Sequence, residues 1–315
     1  MPKYTFLLPA YKAKYFEEAL SSIKNQTFKD FLCIVSDDCS PEDLLSIFNK
    51  VCGDDSRFVY RKNEKNIGGG NLVVHWNLLV GLCETEYFMM AGDDDIYMPT
   101  FLEEVDKLQA KYPEAGLIRA RSQFVNENGE ITDQDSTFPE YLDLLSFLFY
   151  RYNSFFINGI VNYAFKKEII IKEGQFVNFP VAWGSDDAAI FSCSRYGICN
   201  TSSILTSMRV SGINLSCQTD RETSKKKITA SLKFREWFAI FFRKNCHPVT
   251  VLEKNQYNSV QVLSDRFAVQ GILHYAGSLS IADRIRLFRK LKSNNYSNSM
   301  TKRIKLFGLL LLGER

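Results

Sequence analysis

Several signatures are missing from this chain of 315 residues, and each absence removes a class of function. The three histidines, His75, His247 and His274, show no HExxH or other ligand spacing, which speaks against a zinc hydrolase. The eight cysteines are scattered, with no CxxC and no paired metal-ligand spacing, so they read as reduced core thiols. No GxGxxG follows the first apolar run, and Gly68-Gly69-Gly70 lacks the GK[ST] ending of a phosphate-cradling loop; neither a dinucleotide site nor a kinase-like one is supported. The longest late apolar run, Leu306 to Leu312, is far below the ~20 residues that cross a bilayer. Residues 1 to 25 leave no room for a signal peptide's apolar segment, which predicts a cytoplasmic location. There is no internal repeat, no low-complexity tract, and no feature that calls for a nucleic-acid partner.

What remains is an ordinary globular composition, 45% hydrophobic and 24% charged, with a high aromatic share of 14%. The net charge of +3 conceals an uneven distribution. From Lys225 to Arg315 there are 18 Lys or Arg against 5 Asp or Glu, whereas the other 224 residues carry 21 against 31. Such asymmetry suggests an acidic body that handles cations and a basic tail that meets an anionic surface, although a solvated basic helical face accounts for the tail equally well.

The apolar pattern predicts strands at Tyr4 to Pro9, Phe31 to Ser36, Phe58 to Arg61, Tyr87 to Met90 and Gly116 to Phe124. Helices are expected over Tyr15 to Thr27, from Ser40 as N-cap to about Val51, and over Val73 to Leu82, Pro99 to Tyr112, Tyr141 to Tyr152 and Ala188 to Arg195, and then through a basic helical region from Lys225. Strands alternating with helices imply βαβ units and a mainly parallel sheet. Ligands of such sheets sit beyond the carboxyl ends of the strands. Three strand ends carry Pro9-Ala10-Tyr11, Asp37-Asp38 and Asp93-Asp94-Asp95, so one crevice can collect them.

Three adjacent carboxylates repel one another and need a divalent cation, nearby positive charge or full solvation. By themselves Asp93 to Asp95 fit an acidic loop as well as a metal site. Asp37-Asp38 fit either a helix cap or contacts to a ribose or base edge. Asp186-Asp187 fit an acidic first helical turn, favoured by the helix dipole, or a general base placed opposite the first cluster.

Taken in order, these residues resemble the family 2 glycosyltransferases of GT-A fold. The likeness begins at Phe6-Leu7-Leu8-Pro9-Ala10-Tyr11, passes through Asn25-Gln26-Thr27 to Asp37-Asp38-Cys39-Ser40, and continues at Asn66, Gly68, Asn77, Gly81 and Tyr87. It then reaches Asp93, Asp94 and Asp95 as a DXD-type metal motif, and Gly174, Phe176 and Asp186-Asp187 as the acceptor-side elements. Departures are Cys39 for a glycine, Gly92 where the first DXD acid usually stands, Asp186 for a glutamate, and Ser211 for the histidine of a late Arg-x-His element.

The resemblance implies an α/β fold with a mainly parallel, Rossmann-like sheet flanked by helices. It spans a glycosyltransferase domain over 1–224, divided into a nucleotide-binding half (1–99) and an acceptor half (100–224), followed by a helical basic region over 225–315. The implied activity is inverting transfer of a sugar from a nucleoside-diphosphate donor, UDP-linked by expectation, to the hydroxyl of a saccharide or lipid-linked saccharide. The implied roles put Mn²⁺ or Mg²⁺ on Asp94 with Asp93 or Asp95, and base catalysis on Asp187 with Asp186 beside it. Pro9, Ala10, Tyr11, Asp37, Asp38, Asn66, Asp93 and Arg209 would contact the donor. Tyr152, Phe155, Phe156 and Trp183 are candidates for packing against acceptor or sugar faces. Lys302 to Leu312 would rest on the inner face of the membrane. Two other readings stay open: a nucleotide-sugar-binding module without turnover, and a metal-dependent nucleotidyltransferase or phosphohydrolase.

Overall fold

A computed structural model describes residues 2–212 and 214–293; the Lys302 to Leu312 segment lies outside the described residues. The first half alternates β1 (Tyr4–Ala10), α1 (Phe16–Lys24), β2 (Phe31–Asp37), α2 (Leu44–Cys52), β3 (Phe58–Lys62), α3 (Gly68–Leu82) and β4 (Tyr87–Met90). The second adds β5 (Ile96–Tyr97), α4 (Phe101–Lys111), β6 (Leu117–Val125), β7 (Ile131–Gln134), β8 (Tyr141–Leu142), α5 (Leu144–Asn153), β9 (Tyr163–Lys166), α6 (Lys167–Lys172), α7 (Ser185–Ser194) and β10 (Ile198–Arg209). Three helices follow, α8 (Arg221–Asn245), α9 (Val251–Ala276) and α10 (Ile281–Ser293).

The strands form one sheet in the order β3-β2-β1-β4-β9-β6-β10-β5, with β7 on β6 and β8 on β10. β3, β2, β1 and β4 are parallel, and β9 is inserted antiparallel between β4 and β6. β1 and β4 are central, and their side chains divide by the two-residue period of a strand. Leu7, Phe88 and Met90 enter one core with Val73, Trp76 and Phe191. Phe6, Leu8, Tyr87 and Met89 enter the other with Phe31 and Phe101. A strand buried on both faces must be apolar throughout, which is why Tyr87 to Met90 reads as an unbroken run.

β2 and β4 flank β1 on opposite sides, so the chain reverses its direction of winding at the carboxyl end of β1. A crevice opens at such a point. Asp37 ends β2, and Asp93 to Asp95 follow β4 by two residues.

The structure corrects three local expectations. Ser40 does not cap α2; Asp43 does, accepting from the amide of Ser46 at 3.1 Å, while the Ser40 hydroxyl donates to the Tyr11 carbonyl at 2.6 Å. The helix expected from Tyr141 starts at Leu144, because Tyr141 and Leu142 pair with β10. β10 itself, twelve residues long, has no counterpart among the expected strands.

The basic helices share their core with the sheet: Phe238, Phe241, Phe242, Cys246 and Val260 lie in the same buried cluster as Leu7 and Phe88. α8 starts on an Asp220 cap, and α9 on a Thr250/Glu253 capping box.

β6 is tied to the loop before α5 by a buried ion pair. Arg119 and Asp135 are 0% and 2% exposed, and both also bond the backbone of Ile157, at 3.0 and 3.1 Å. Asp135→Ala strands a buried guanidinium, so a loss of about 3 to 5 kcal/mol in unfolding free energy is expected from urea titration.

Candidate active site

The acidic turn after β4 is held in place by its own carboxylates. Asp93 Oδ2 accepts from the backbone amides of Tyr11 and Lys12, both at 2.9 Å, which pins the turn to the end of β1. Asp95 Oδ1 accepts from the amide of Arg209 at 3.0 Å, which pins it to the end of β10. Asp94, between them, is only 9% exposed and receives one long bond, 3.2 Å, from the side-chain amide of Asn214. Burial and the neighbouring charge of Asp93 push its carboxyl up to about 6, and burial together with Asp94 pushes Asp95 up to about 8. Both shifts mark carboxylates short of positive charge.

The Arg209 guanidinium offsets part of the negative charge from a distance but forms no ion pair with the three carboxylates. Its Nε donates to the Asp94 carbonyl at 3.1 Å, one terminal nitrogen to the carbonyls of Asn126 and Glu127 at 3.3 Å, and the other to Glu18 at 2.5 Å. The group is stacked 4.3 Å from the Tyr15 ring. It fastens four segments together and is 4% exposed.

A hard divalent cation fits the Asp93–Asp94 corner. The donors are oxygens only, their charge is offset only in part by Lys12 and Arg209, and carboxylates suit Mg²⁺ and Mn²⁺. Among the described residues no three His, Cys, Asp or Glu side chains form a metal-holding group. The protein thus offers one or two carboxylates and leaves the remaining positions for ligand oxygens and water, as Mg²⁺ sites at phosphates commonly do.

Opposite stands the first turn of α7. Gly184, at φ 83°, precedes it, and a Cβ there would come within 3.0 Å of the Phe234 ring. A left-handed backbone and ring contact together demand glycine. Asp187 Oδ1 accepts from the Asn158 side-chain amide at 2.9 Å and lies 3.5 Å from Arg151. Asn158 is oriented in turn by the Tyr163 hydroxyl, 2.5 Å from its carbonyl oxygen. Asp186 has its carboxyl pushed up to about 7 by burial and by the charge of Asp187.

Both acidic groups line a single cavity of about 840 Å³. Lys12, Arg151, Asn158 and Asn214 share its polar end, and Trp76, Tyr152, Trp183 and the rings of α8 and α9 form its apolar walls.

With this geometry in view, comparison with known proteins is decisive. Residues 5–172 match the model of Glycosyl transferase family 2, more than half of the chain. The chain belongs to this family. An uncharacterized glycosyltransferase of Methanocaldococcus jannaschii is 33% identical over 119 residues, 38% of this chain and 40% of that protein. The GalNAc(5)-diNAcBac-PP-undecaprenol beta-1,3-glucosyltransferase of Campylobacter jejuni is 39% identical over 72 residues, 22% of this chain and 23% of its own. These matches span less than half the length of either relative.

Among solved structures, residues 1–349 of S. aureus TarS in complex with UDP-GlcNAc share 18% identity, with 98% of this chain and 90% of that one covered at a TM-score of 0.58. The mannosyltransferase PcManGT of Pyrobaculum calidifontis, in complex with GDP-Man and Mn²⁺, shares 12% identity over 99% of this chain and 87% of that one at 0.54. The fold is therefore GT-A, an α/β sheet flanked by helices with a helical C-terminal region.

Within this family 2 fold, the expected site residues separate into two groups. Asp93, Asp94, Asp95, Asp186 and Asp187 line the common cavity, as do Tyr152 and Trp183. The carboxylates of Asp37 and Asp38 are spent elsewhere. Asp37, 0% exposed, bonds the Ser40 amide at 2.7 Å and the Tyr60 hydroxyl at 2.6 Å. Asp38 accepts from Asn63, Ile67 and Gly68 at 2.6 to 2.9 Å. Ala10 is buried and Tyr11 is 41% exposed, while Pro9 and Asn66 also lie off the cavity wall, Asn66 accepting from the Gly69 amide. Phe156 packs against Phe138 and Phe147, and Phe155 is 52% exposed.

Lys12, Arg151, Asn158 and Asn214 escaped the sequence reading. Lys12, directly after Pro9-Ala10-Tyr11, and Asn214, three residues beyond Ser211 in the late element, stood near a motif. Asn158→Ala leaves Asp187 with Arg151 alone, so turnover should drop about ten- to hundredfold with the donor KM unchanged, as steady-state kinetics would show.

Proposed function

We propose that the protein transfers a sugar from a nucleoside-diphosphate donor, UDP-linked in preference to other bases, to an acceptor hydroxyl with inversion at the anomeric carbon. The observation that carries this reading is the cavity shared by an acidic corner whose charge is only partly offset and a second, partly neutralised aspartate pair. Support comes from the company the fold keeps: TarS is described with UDP-GlcNAc, PcManGT with GDP-Man and Mn²⁺, and the Campylobacter relative is named for an acceptor on PP-undecaprenol. We read the acceptor here as a saccharide or lipid-linked saccharide of a cell-surface glycan.

Asp94, with Asp93 or Asp95, would hold Mn²⁺ or Mg²⁺, which when bound neutralises charge developing on the departing diphosphate. Asp93 also fixes the amides of Tyr11 and Lys12 at the mouth of the β1 crevice, and Lys12 adds a positive charge on the cavity wall. Asp187 takes the proton of the acceptor hydroxyl. Asn158 and Arg151 hold it in position, and burial together with the charge of Asp187 raises the proton affinity of Asp186 beside it. Pro9, Ala10, Tyr11, Asp37, Asp38 and Asn66 shape the base and ribose side through backbone position, while Arg209 braces the loops around the diphosphate.

A nucleotide-sugar panel with Mn²⁺, followed by thermal shift and by release of nucleoside diphosphate, tests the assignment. The wild type should respond to one base class, and Asp94→Ala should lose turnover by at least about a thousandfold, the equivalent of several kcal/mol of charge stabilisation. Response by no nucleotide sugar, or full turnover without Asp94, rejects the reading.

As pH falls through about 7, the value to which its carboxyl is pushed, Asp186 gains a proton and removes a negative charge from beside the base, so proton abstraction and with it activity should fall. Asp187→Asn should cost about 10² to 10⁴ in kcat at every pH. An acid limb unchanged in Asp186→Asn would show that the pair does not set it.

A further inference from the structure

Lys227, on the second turn of α8, has no place in the reaction described above, yet it is 0% exposed. A lysine is rarely hidden without a paired charge, because its ammonium loses its hydration there. Among the described residues no carboxylate comes within ion-pair distance of its Nζ. Asp220 acts on it only through space and spends its carboxylate on the amides of Glu222 and Thr223.

What the ammonium touches instead is uncharged. Nζ donates to the carbonyls of Ser216 at 2.9 Å and Gln218 at 2.8 Å, and the Tyr275 hydroxyl is 3.5 Å away. It also stands 4.8 Å from the centre of the Trp183 ring and 4.6 Å from that of Tyr275. Ring faces attract a cation, and hydrogen bonds from a charged donor are stronger than neutral ones, so these groups together offset its desolvation. An apolar chain of the same length would fill the space against the two rings without that cost. The gain from the charge therefore lies in the segment whose carbonyls it holds.

That segment has little else to hold it. Leu215–Cys217 form a single 3₁₀ turn with no buried residue, and Ser216 and Gln218 are exposed. One turn is too short to be stable alone, and its last carbonyls have no partner inside it. At its head stands Asn214, whose side-chain amide bonds the Asp94 carboxylate at 3.2 Å and the Arg209 carbonyl at 2.9 Å. Asn214, Leu215 and Ser216 line the cavity beside the acidic corner.

We propose that Lys227 is a positioning residue: its ammonium fastens residues 214–218 to the C-terminal helices and through them keeps Asn214 on Asp94, the carboxylate that would take the metal ion. The consequence for the metal rests on the transferase reading above; the anchoring of the segment does not.

Lys227→Met keeps the stem and removes the donors, and the exposed carbonyls it releases turn to water. In hydrogen-exchange mass spectrometry of the full chain without metal or donor, peptides covering 214–218 should exchange at least about tenfold faster than in wild type, while α8 beyond Ser231 and β4 keep their protection. Lys227→Gln, too short to reach both carbonyls, should behave alike and serves if the methionine variant does not fold. Mn²⁺ binding in the presence of UDP, followed by electron paramagnetic resonance, should weaken about tenfold in Lys227→Met and in Asn214→Ala, as for side chains that orient a metal's ligands. The double variant should bind no more weakly than either single one, since both act on Asp94 by one route.

Exchange at 214–218 that stays as in wild type, or that rises equally throughout α8, overturns the anchor. Losses that multiply to about a hundredfold in the double variant overturn the route through Asn214. A wild type that takes up no Mn²⁺ strikes the metal assignment of the transfer reaction, and the exchange measurement still decides the anchor.

Discussion

Five aspartates, Asp93, Asp94, Asp95, Asp186 and Asp187, face one cavity, and the cost of keeping them charged there governs the rest of the site. Two carboxylates 4 Å apart repel by about 4 kcal/mol at the effective dielectric of a protein surface. Backbone amides, a cation or protonation can relieve that repulsion. Amides serve Asp93 and Asp95, and Arg151 with Asn158 serves Asp187. Asp94, Asp95 and Asp186 keep raised proton affinities, Asp95 the highest because burial and the charge of Asp94 outweigh its amide bond. In the proposed reaction Asp94, whose single hydrogen bond is long, would receive the metal ion and Asp186 would tune the proton acceptor across the cavity.

The role of Arg209 follows from the same constraint. A mobile guanidinium at the acidic corner would pair with Asp94 and occupy the place of a cation. Instead it is buried among carbonyls and Glu18, so its charge reaches Asp94 and Asp95 only through space, and of the corner carboxylates the residue bonds Asp95 alone, through its backbone amide. Asn214 bridges the Asp94 carboxylate and the Arg209 carbonyl, 3.2 and 2.9 Å away, so the late segment closes over the corner without neutralising it.

How much of this was legible in the sequence depends on where the signal lay. Tyr4 to Pro9 and Tyr87 to Met90 announce a doubly covered sheet because both faces demand apolar residues. Asp93 to Asp95 could be placed at a crevice because parallel strands present their carboxyl ends together, whereas Asp37 and Asp38, at the end of β2, do not line the cavity. β10 was hidden because its buried positions include Asn200, Thr201, Thr206 and Ser207, polar residues satisfied by partners far away in the chain, such as the Pro139 carbonyl and Gln123. The capture of Asp37 and Asp38 by the segments around Tyr60 and Asn63 to Gly68 is likewise tertiary, with no local trace. Arg151 and Asn158 lie in an aromatic stretch whose periodicity is blurred, and their significance appears only when α7 is set against them.

The C-terminal helices are part of the site's chemistry. The raised proton affinity of Asp186 comes first from burial, and the wall that provides it includes Trp183 and the Phe234 edge of α8. Gly184 lets that ring lie against the start of α7; a side chain there would strain the left-handed backbone and press on the Phe234 ring, loosening the wall beside the aspartate pair. Water would lower the carboxyl toward its ordinary value and weaken the group as a partner in proton abstraction near neutral pH. In the proposed reaction a basic helical region that began as a charge imbalance in the sequence would therefore act through packing, by setting the dielectric around two aspartates.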